Sequence, residues 1–460
     1  MIPAQQVIDL ALDAAGSGRH AGTDTETIVL VTDRTEASLR WAGNSMTTNG
    51  VSSSRTTTVV TIARDDEGPR VGSLCSAEVD PALIPELVAA SAEAAAGAPE
   101  ARDAAELVGG SGMPDDWDAD APETGAEVFA GLAASLSRGF RGADQLYGFA
   151  RHEVATTFLA SSTGLRRRFT QPTGTVEINA KRARASAWAG VSTPDFVDVR
   201  CDSLLEQLSR RLGWAARSVE LPAGRYETLM PPSTVADMMI YLGWTMSGRG
   251  AQEGRTALSA PGGGTRVGER LSDLPLTLYS DPHAFGLECA PFVATGTSSE
   301  TVSVFDNGLD IGCVDWIRGG VINALAYPRA AAAEFGAPVA LPADNLLMTG
   351  GSASMDEMIA STERGLLLTT LWYIREVDPT TLLLTGLTRD GVYLVEDGQV
   401  RAAVNNFRFN ESPLDLLRRA TQAGIAEPTL PREWGDWATR AVMPSLRIPD
   451  FHMSSVSQAQ

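Results

Sequence analysis

Histidine, cysteine and lysine are scarce in this 460-residue chain, and the scarcity excludes several chemistries. There are four histidines, His20, His152, His283 and His452, and no two are close enough to share a helix face. A catalytic zinc needs about three ligands from His, Cys, Asp or Glu, with one position left open for water. The nearest approach is His152-Glu153. A second histidine on the same helix face would stand at the position of Thr156 or Thr157. His152 therefore reads as a strand-rim histidine, and no metal ligand, catalytic residue or cofactor-binding residue is assigned in this chain. Cys75, Cys201, Cys289 and Cys313 form no C-x-x-C pair, and four scattered cysteines fit reduced thiols. Lys181 is the only lysine, and 57 acidic residues outnumber 37 basic ones to give a formal charge of −20. That balance opposes nucleic acid and anionic membrane as partners. No apolar run approaches the roughly 18 residues of a membrane span; the densest lies near Leu366 to Ile374. The opening MIPAQQVIDLALDAAGSG has no cationic leader pattern. Its Ile2, Val7, Leu10, Ala11 and Ala14 fall at helical spacing. A cytoplasmic protein is expected.

Apolar residues make up 43% of the chain, enough for a sizeable core, and the length suits two or three domains. The first half repeats a pattern. Ile28 to Asp33, Ala37 to Asn44, Thr57 to Arg64 and Arg70 to Cys75 read as strands. A helix follows from about Pro81 to Ala96, with Asp80 as cap and proline in the first turn. The second pass has strands at Tyr147 to Phe158, Leu165 to Thr170, Gly174 to Ala180 and Ala185 to Ala189. Its helix runs from about Ser203 to Ser218. Two strand-plus-helix units predict one α+β domain with an internal pseudo-repeat, residues 1–220. The second half, 222–450, opens with a strand at Tyr226 to Met230 and a helix from Ser233 to Met246. In that helix Val235, Met238, Met239 and Leu242 form the buried stripe. Residues 451–460 read as a flexible tail.

Other motifs point to chemistry only weakly. Asp116, Asp118, Asp120 and Glu127 match four calcium-loop positions, but Ala121 stands where the sharp turn requires glycine, so a solvated acidic loop is expected before a helix at Glu127 to Arg138. The glycine-rich 248–268 segment lacks the G-K-[ST] of a phosphate loop. There is no G-x-S-x-G elbow and no dinucleotide fingerprint. His283, Cys289 and Asp315 are the residues from which a stand-alone hydrolase would have to be assembled, and nothing in the sequence connects them.

The segment from Gly365 reads GLLLTTLWYIREVDPTTLLLTGLTRDGVYLVEDGQVRAAVNNFRFNESPLDLL. It resembles the C-terminal signature of the TldD/TldE (PmbA) family, where a "YLIENGKI"-like strand leads to V-x-N-x-R-F and a short helix. Glu253-Gly254-Arg255-Thr256, SDLPLTLYSD and VFDNG also match family elements, and the resemblance covers most of 222–420. LDIGCVDWIRGG after VFDNG departs from it, as does Trp372 to Asp378, which lacks a glycine-rich run. In the TldD branch a helix bearing H-E-x-x-x-H and a cysteine before the YLIENG strand hold the metal. This chain has VADMMIYLGW in that helix, where apolar residues are expected at the ligand positions, and no such cysteine, so it is similar to the TldE branch.

The resemblance implies an α+β fold: the duplicated strand-helix domain followed by a curved, mainly antiparallel β domain. It implies the metal-free subunit of a metalloprotease. Its partner would be a TldD-like, H-E-x-x-x-H-bearing subunit that holds the metal, and unfolded or short peptides would be the substrates. In isolation a homodimer could form. Against it stand the stand-alone hydrolase and a homomeric peptide-binding scaffold. In AAVNNFRFNES, Phe407 or Phe409 is expected to bury, Arg408 to pair with a carboxylate and Ser412-Pro413 to cap the following helix.

Overall fold

A computed structural model describes residues 2–17, 24–66, 68–77, 80–110 and 112–457. The first unit is a six-stranded antiparallel sheet in the order β3-β2-β1-β4-β5-β6. Its strands are β1 Asp24–Trp41, β2 Met46–Asp65, β3 Gly68–Ser76, β4 Gln145–Ser161, β5 Arg166–Arg182 and β6 Ala185–Thr193. The two strand triplets meet at the centre, where β1 pairs with β4 from Ile28↔Ser161 to Trp41↔Gly148. This is the duplication that the pattern predicted. The strands are longer than predicted: the first two predicted segments form one continuous strand.

Each triplet carries its own helices. Helices α1 (Ala4–Ser17) and α2 (Ile84–Ala96) cover Val29, Val31 and Val59 with Ile8 and Val88. Helices α3 (Ala130–Gly139) and α4 (Cys201–Trp214) cover Leu39, Trp41, Val176 and Ile178 with Leu132, Leu136, Leu208 and Leu212. The other face at one end holds Ile28, Leu30, Val60, Ile62 and Leu159, packed on Phe292, Val304 and Phe305 of the second unit. Burial on both faces explains why Ile28 to Val31 is an unbroken apolar run rather than an alternating one. Asp80 accepts a hydrogen bond from the Ala82 amide, as a cap should, but the first turn it caps, Pro81–Leu83, is a 3-10 turn.

The chain enters the second sheet at β7, Ser218–Val219, which pairs with Gln399–Val404. β8, Gly224–Met230, follows, and then helix α5, Pro232–Trp244. The sheet has fourteen strands, curls on itself and is mainly antiparallel. Its hub is the C-terminal strand Ala441–Val456. That strand pairs with β8, Phe407–Glu411 and Gln422–Thr429 antiparallel, and with Leu346–Met348 parallel. Phe451 and Met453 are fully buried on it. The segment expected as a flexible tail is thus ladder through Val456, because alternate residues Phe451 and Met453 point into the core. Residues 458–460 lie outside the described residues.

Candidate functional site

Pro231 is extended and Pro232 occupies the first turn of α5, where its missing N–H costs nothing. Burial continues around the helix: Thr234, Val235, Ala236, Asp237, Met238, Met239, Ile240 and Leu242 are all buried. The predicted stripe is correct but too narrow, since the curled sheet and the Gln422–Thr429 strand enclose the helix. One residue in this apolar helix is a carboxylic acid that the sequence reading passed over. Asp237 is wholly buried. One of its oxygens accepts the Glu433 amide at 3.0 Å, and the other has no hydrogen-bond partner. Burial pushes this carboxyl well above its ordinary range. The Glu433 amide opposes the shift, the Glu433 charge adds to it, and Arg432 opposes it.

Asp237 is tied to the segment Arg432–Trp434. The Trp434 indole donates to the Asp237 carbonyl at 2.8 Å. Glu433 accepts the amides of Tyr373 (2.7 Å) and Ile374 (3.0 Å) and one Arg375 nitrogen (3.1 Å). Tyr373 has φ +56°, a conformation costly for a non-glycine residue, and Glu433 pins it there. Arg432 bonds Asp390 at 2.6 Å and lies near the rings of Trp188 and Trp372, 5.4 and 5.3 Å from their centroids. Asp390 in turn accepts the Ser186 hydroxyl at 2.5 Å. Trp188 and Ser186 lie on β6, so this network joins the two units beside α5. It can fix backbone and register; its one carboxyl on α5 is sealed from solvent, with one oxygen on the Glu433 amide.

The other candidates are dispersed. His152 is buried in β4, its Nδ1 2.6 Å from Thr124 Oγ1 and its Nε2 2.7 Å from the Pro194 carbonyl. A carbonyl only accepts, so Nε2 carries a proton, and with both ring nitrogens engaged inside the fold the imidazole has a structural role. Glu153 faces away into ion pairs with Arg34 and Arg151. His283 is exposed, while Cys289 is buried with its thiol pushed up to about 11 by burial and the Asp344 charge. That opposes the thiolate a cysteine nucleophile requires. Asp315 pairs with Arg318. Burial and the charges of Arg225 and Arg419 hold the His452 imidazole below its ordinary value. His20 lies outside the described residues.

Asp116 and the carbonyls of Ala119 and Asp120 close on the Arg168 guanidinium, an internal cation, and Trp117 anchors the loop on Phe158. Arg255 bonds Glu253 and Glu300, so the E-G-R-T element is an ion-pair corner. Both Phe407 and Phe409 are fully buried. Arg408 between them is exposed and touches the Thr385 hydroxyl at 3.4 Å rather than a carboxylate, because alternation on the strand aims it outward. The Ser412 hydroxyl bonds the Thr381 carbonyl instead of capping the helix Pro413–Arg419, which starts on its proline. Among the described residues, no group of three or more His, Cys, Asp or Glu side chains is placed to hold a metal ion.

The sequence profile for the PmbA/TldA metallopeptidase C-terminal domain matches residues 223–455, about half of the chain. The chain belongs to the PmbA/TldD family. Its whole fold is shared with solved family structures. TldE from Thermococcus kodakarensis superposes with a TM-score of 0.76 at 14% identity, over 97% of this chain and 99% of that one. A candidate modulator of DNA gyrase from Thermotoga maritima gives 0.74 at 14% identity, over 98% and 100%. One from Bacteroides thetaiotaomicron gives 0.75 at 14%, over 99% and 100%. At such identity the likeness establishes the fold alone. No curated protein matches the chain. Among the described residues no helix is long and apolar enough to cross a membrane.

Proposed function

We propose that this chain is the metal-ligand-lacking subunit of a TldD/TldE-type metalloprotease of the cytoplasm, active on unfolded or short peptides. It would form part of the chamber wall and of the substrate-binding surface. A partner subunit bearing H-E-x-x-x-H would hold the metal that activates water for attack on a peptide carbonyl. Extended peptides would be held by addition to sheet edges. The observation that carries the reading is the chemistry of α5. Where the metal-bearing branch has two histidines and a glutamate, this helix offers methionines, aliphatics and the single buried acid Asp237. A zinc site cannot be built from that set without ligands from elsewhere.

The test is reconstitution. The purified chain alone should not hydrolyse unfolded casein or short peptides. Turnover should appear on mixing with a family member bearing H-E-x-x-x-H, and a chelator should abolish it. Robust, chelator-insensitive turnover by this chain alone would overturn the reading.

A further inference from the structure

The C-terminal end of α5 borders a cavity of about 170 Å³ that the network around Asp237 does not use. Its walls are Ile240, Met246 and Leu346, with the indoles of Trp244, Trp316 and Trp437. Trp316 is buried in the core, whereas Trp244 is 48% and Trp437 is 77% exposed. Leaving two large indoles partly in water forgoes burial worth roughly 25 cal/mol per Å² of apolar surface. Trp244 is nonetheless held in place, packed edge-on against Trp434 at 5.0 Å, and Trp434 is itself bonded to Asp237. The Trp244 wall is therefore preformed. An apolar cavity of about 150 Å³ accepts a benzene ring, so this one admits a single aromatic or long aliphatic side chain. It is too small for a strand or helix of another protein.

Arg440 links the cavity to a second hollow. It lines both the 170 Å³ cavity and a cleft of about 410 Å³ between the two units. It bonds Asp344 at 2.9 Å on one side and the Thr173 hydroxyl of β5 on the other. The cleft runs between residues 169–174 of β5 and 285–288 of the second unit. Its lining mixes Thr170, Gln171 and Thr193, whose side chains bond Thr156, the Glu288 carbonyl and Asp198, with Phe285, which is 99% exposed. β6 pairs with β5 only from Gly174 onward, so residues 169–173 of β5 are laddered on one side alone. An open strand edge beside a mixed cleft and a one-side-chain cavity matches an extended peptide, whose backbone needs hydrogen-bond partners and whose side chains need separate pockets.

We propose that the Trp244–Trp316–Trp437 cavity is a subsite for one aromatic or long aliphatic side chain of an extended peptide whose backbone lies along the Arg440 cleft. This deepens the peptidase-subunit reading and rests on it for the substrate class. The test uses the isolated full chain, so its outcome does not depend on a partner or on turnover. Binding of acetylated, amidated Ala-Phe-Ala, Ala-Leu-Ala, Ala-Ala-Ala and Ala-Lys(trimethyl)-Ala is followed by tryptophan fluorescence and calorimetry.

The Phe and Leu peptides should bind at least about tenfold more tightly than the Ala peptide, the low end for apolar pocket discrimination. Trp437→Ala, at an exposed position, and Ala343→Phe, which fills the cavity, should each abolish the preference with unchanged melting. Equal binding of all four peptides, or none, would overturn the subsite and leave reconstitution untouched. Selective binding of the trimethyl-lysine peptide would overturn it in favour of a cation cage. Trp437→Ala that keeps peptide selectivity but weakens assembly with the partner would overturn it in favour of a docking surface. Failed reconstitution with intact Phe selectivity would instead remove the peptidase reading and leave a peptide-binding protein.

Discussion

Asp237 is where residue-level chemistry departs most from the sequence reading. A single acid among methionines reads as part of an apolar stripe, and only the segment Arg432–Trp434, nearly two hundred residues on, shows why it is there. Unfolded, its carboxyl ionises as the pH passes about 4. Folded, burial keeps the proton on well above that value. Between the two the unfolded chain binds fewer protons, so this residue lowers wild-type stability as the pH rises from about 4. Asp237→Asn removes that slope. The melting temperature of the variant relative to the parent should climb with pH across that window, and a pH-independent difference would show that Asp237 is ionised in the fold. Arg408 teaches the opposite lesson. Its place in a conserved-looking motif suggested an ion pair, but strand alternation places it outside. Arg408→Ala should change stability by no more than about 0.5 kcal/mol, while Phe409→Ala should cost about 3–5 kcal/mol. Urea unfolding separates them, and a large loss for Arg408→Ala would contradict the observed geometry.

At the scale of elements, the duplicated strands and helices were legible because their cores repeat at periods of two and near four, with Pro81, Pro232 and Pro413 marking helix starts. What was not legible was length. Arg34 to Glu36 and Met46 to Thr56 are polar and read as gaps, yet they continue β1 and β2, since ladder pairing with β4 and with each other satisfies the backbone whatever the side chains. Close approaches were equally hidden. Gly72 on β3 lies under α2, where an added Cβ would meet the Ser91 carbonyl at 2.2 Å and the Ala95 amide at 2.3 Å. The Ser91 hydroxyl bridges the same spot, within bonding distance of the Val59 and Gly72 carbonyls and Thr61 Oγ1. Gly72→Ala must push the helix off the sheet and should cost about 1–3 kcal/mol. Chemical denaturation checks it, and an unchanged midpoint would mean that α2 floats on the sheet.

Over the whole molecule, the two units are joined by polar and apolar contacts, and among the described residues no strand is shared between their sheets. Arg329 links them by bonding Asp306 (2.6 Å), which is wholly buried, together with the carbonyls of Phe305 and Glu106. The signature motif located the second unit and its family, because it sits on strands whose glycines and buried aromatics tolerate little change. The candidate site was only half legible. The composition showed how few histidines there were, but the hollows beside α5 depend on Arg440 and on indoles that sequence spacing cannot bring together. The central claim, that α5 carries no catalytic metal, is tested most directly by elemental analysis of the purified chain after exposure to excess zinc and gel filtration. The account predicts far less than one zinc per chain. About one tightly held zinc per chain would contradict it.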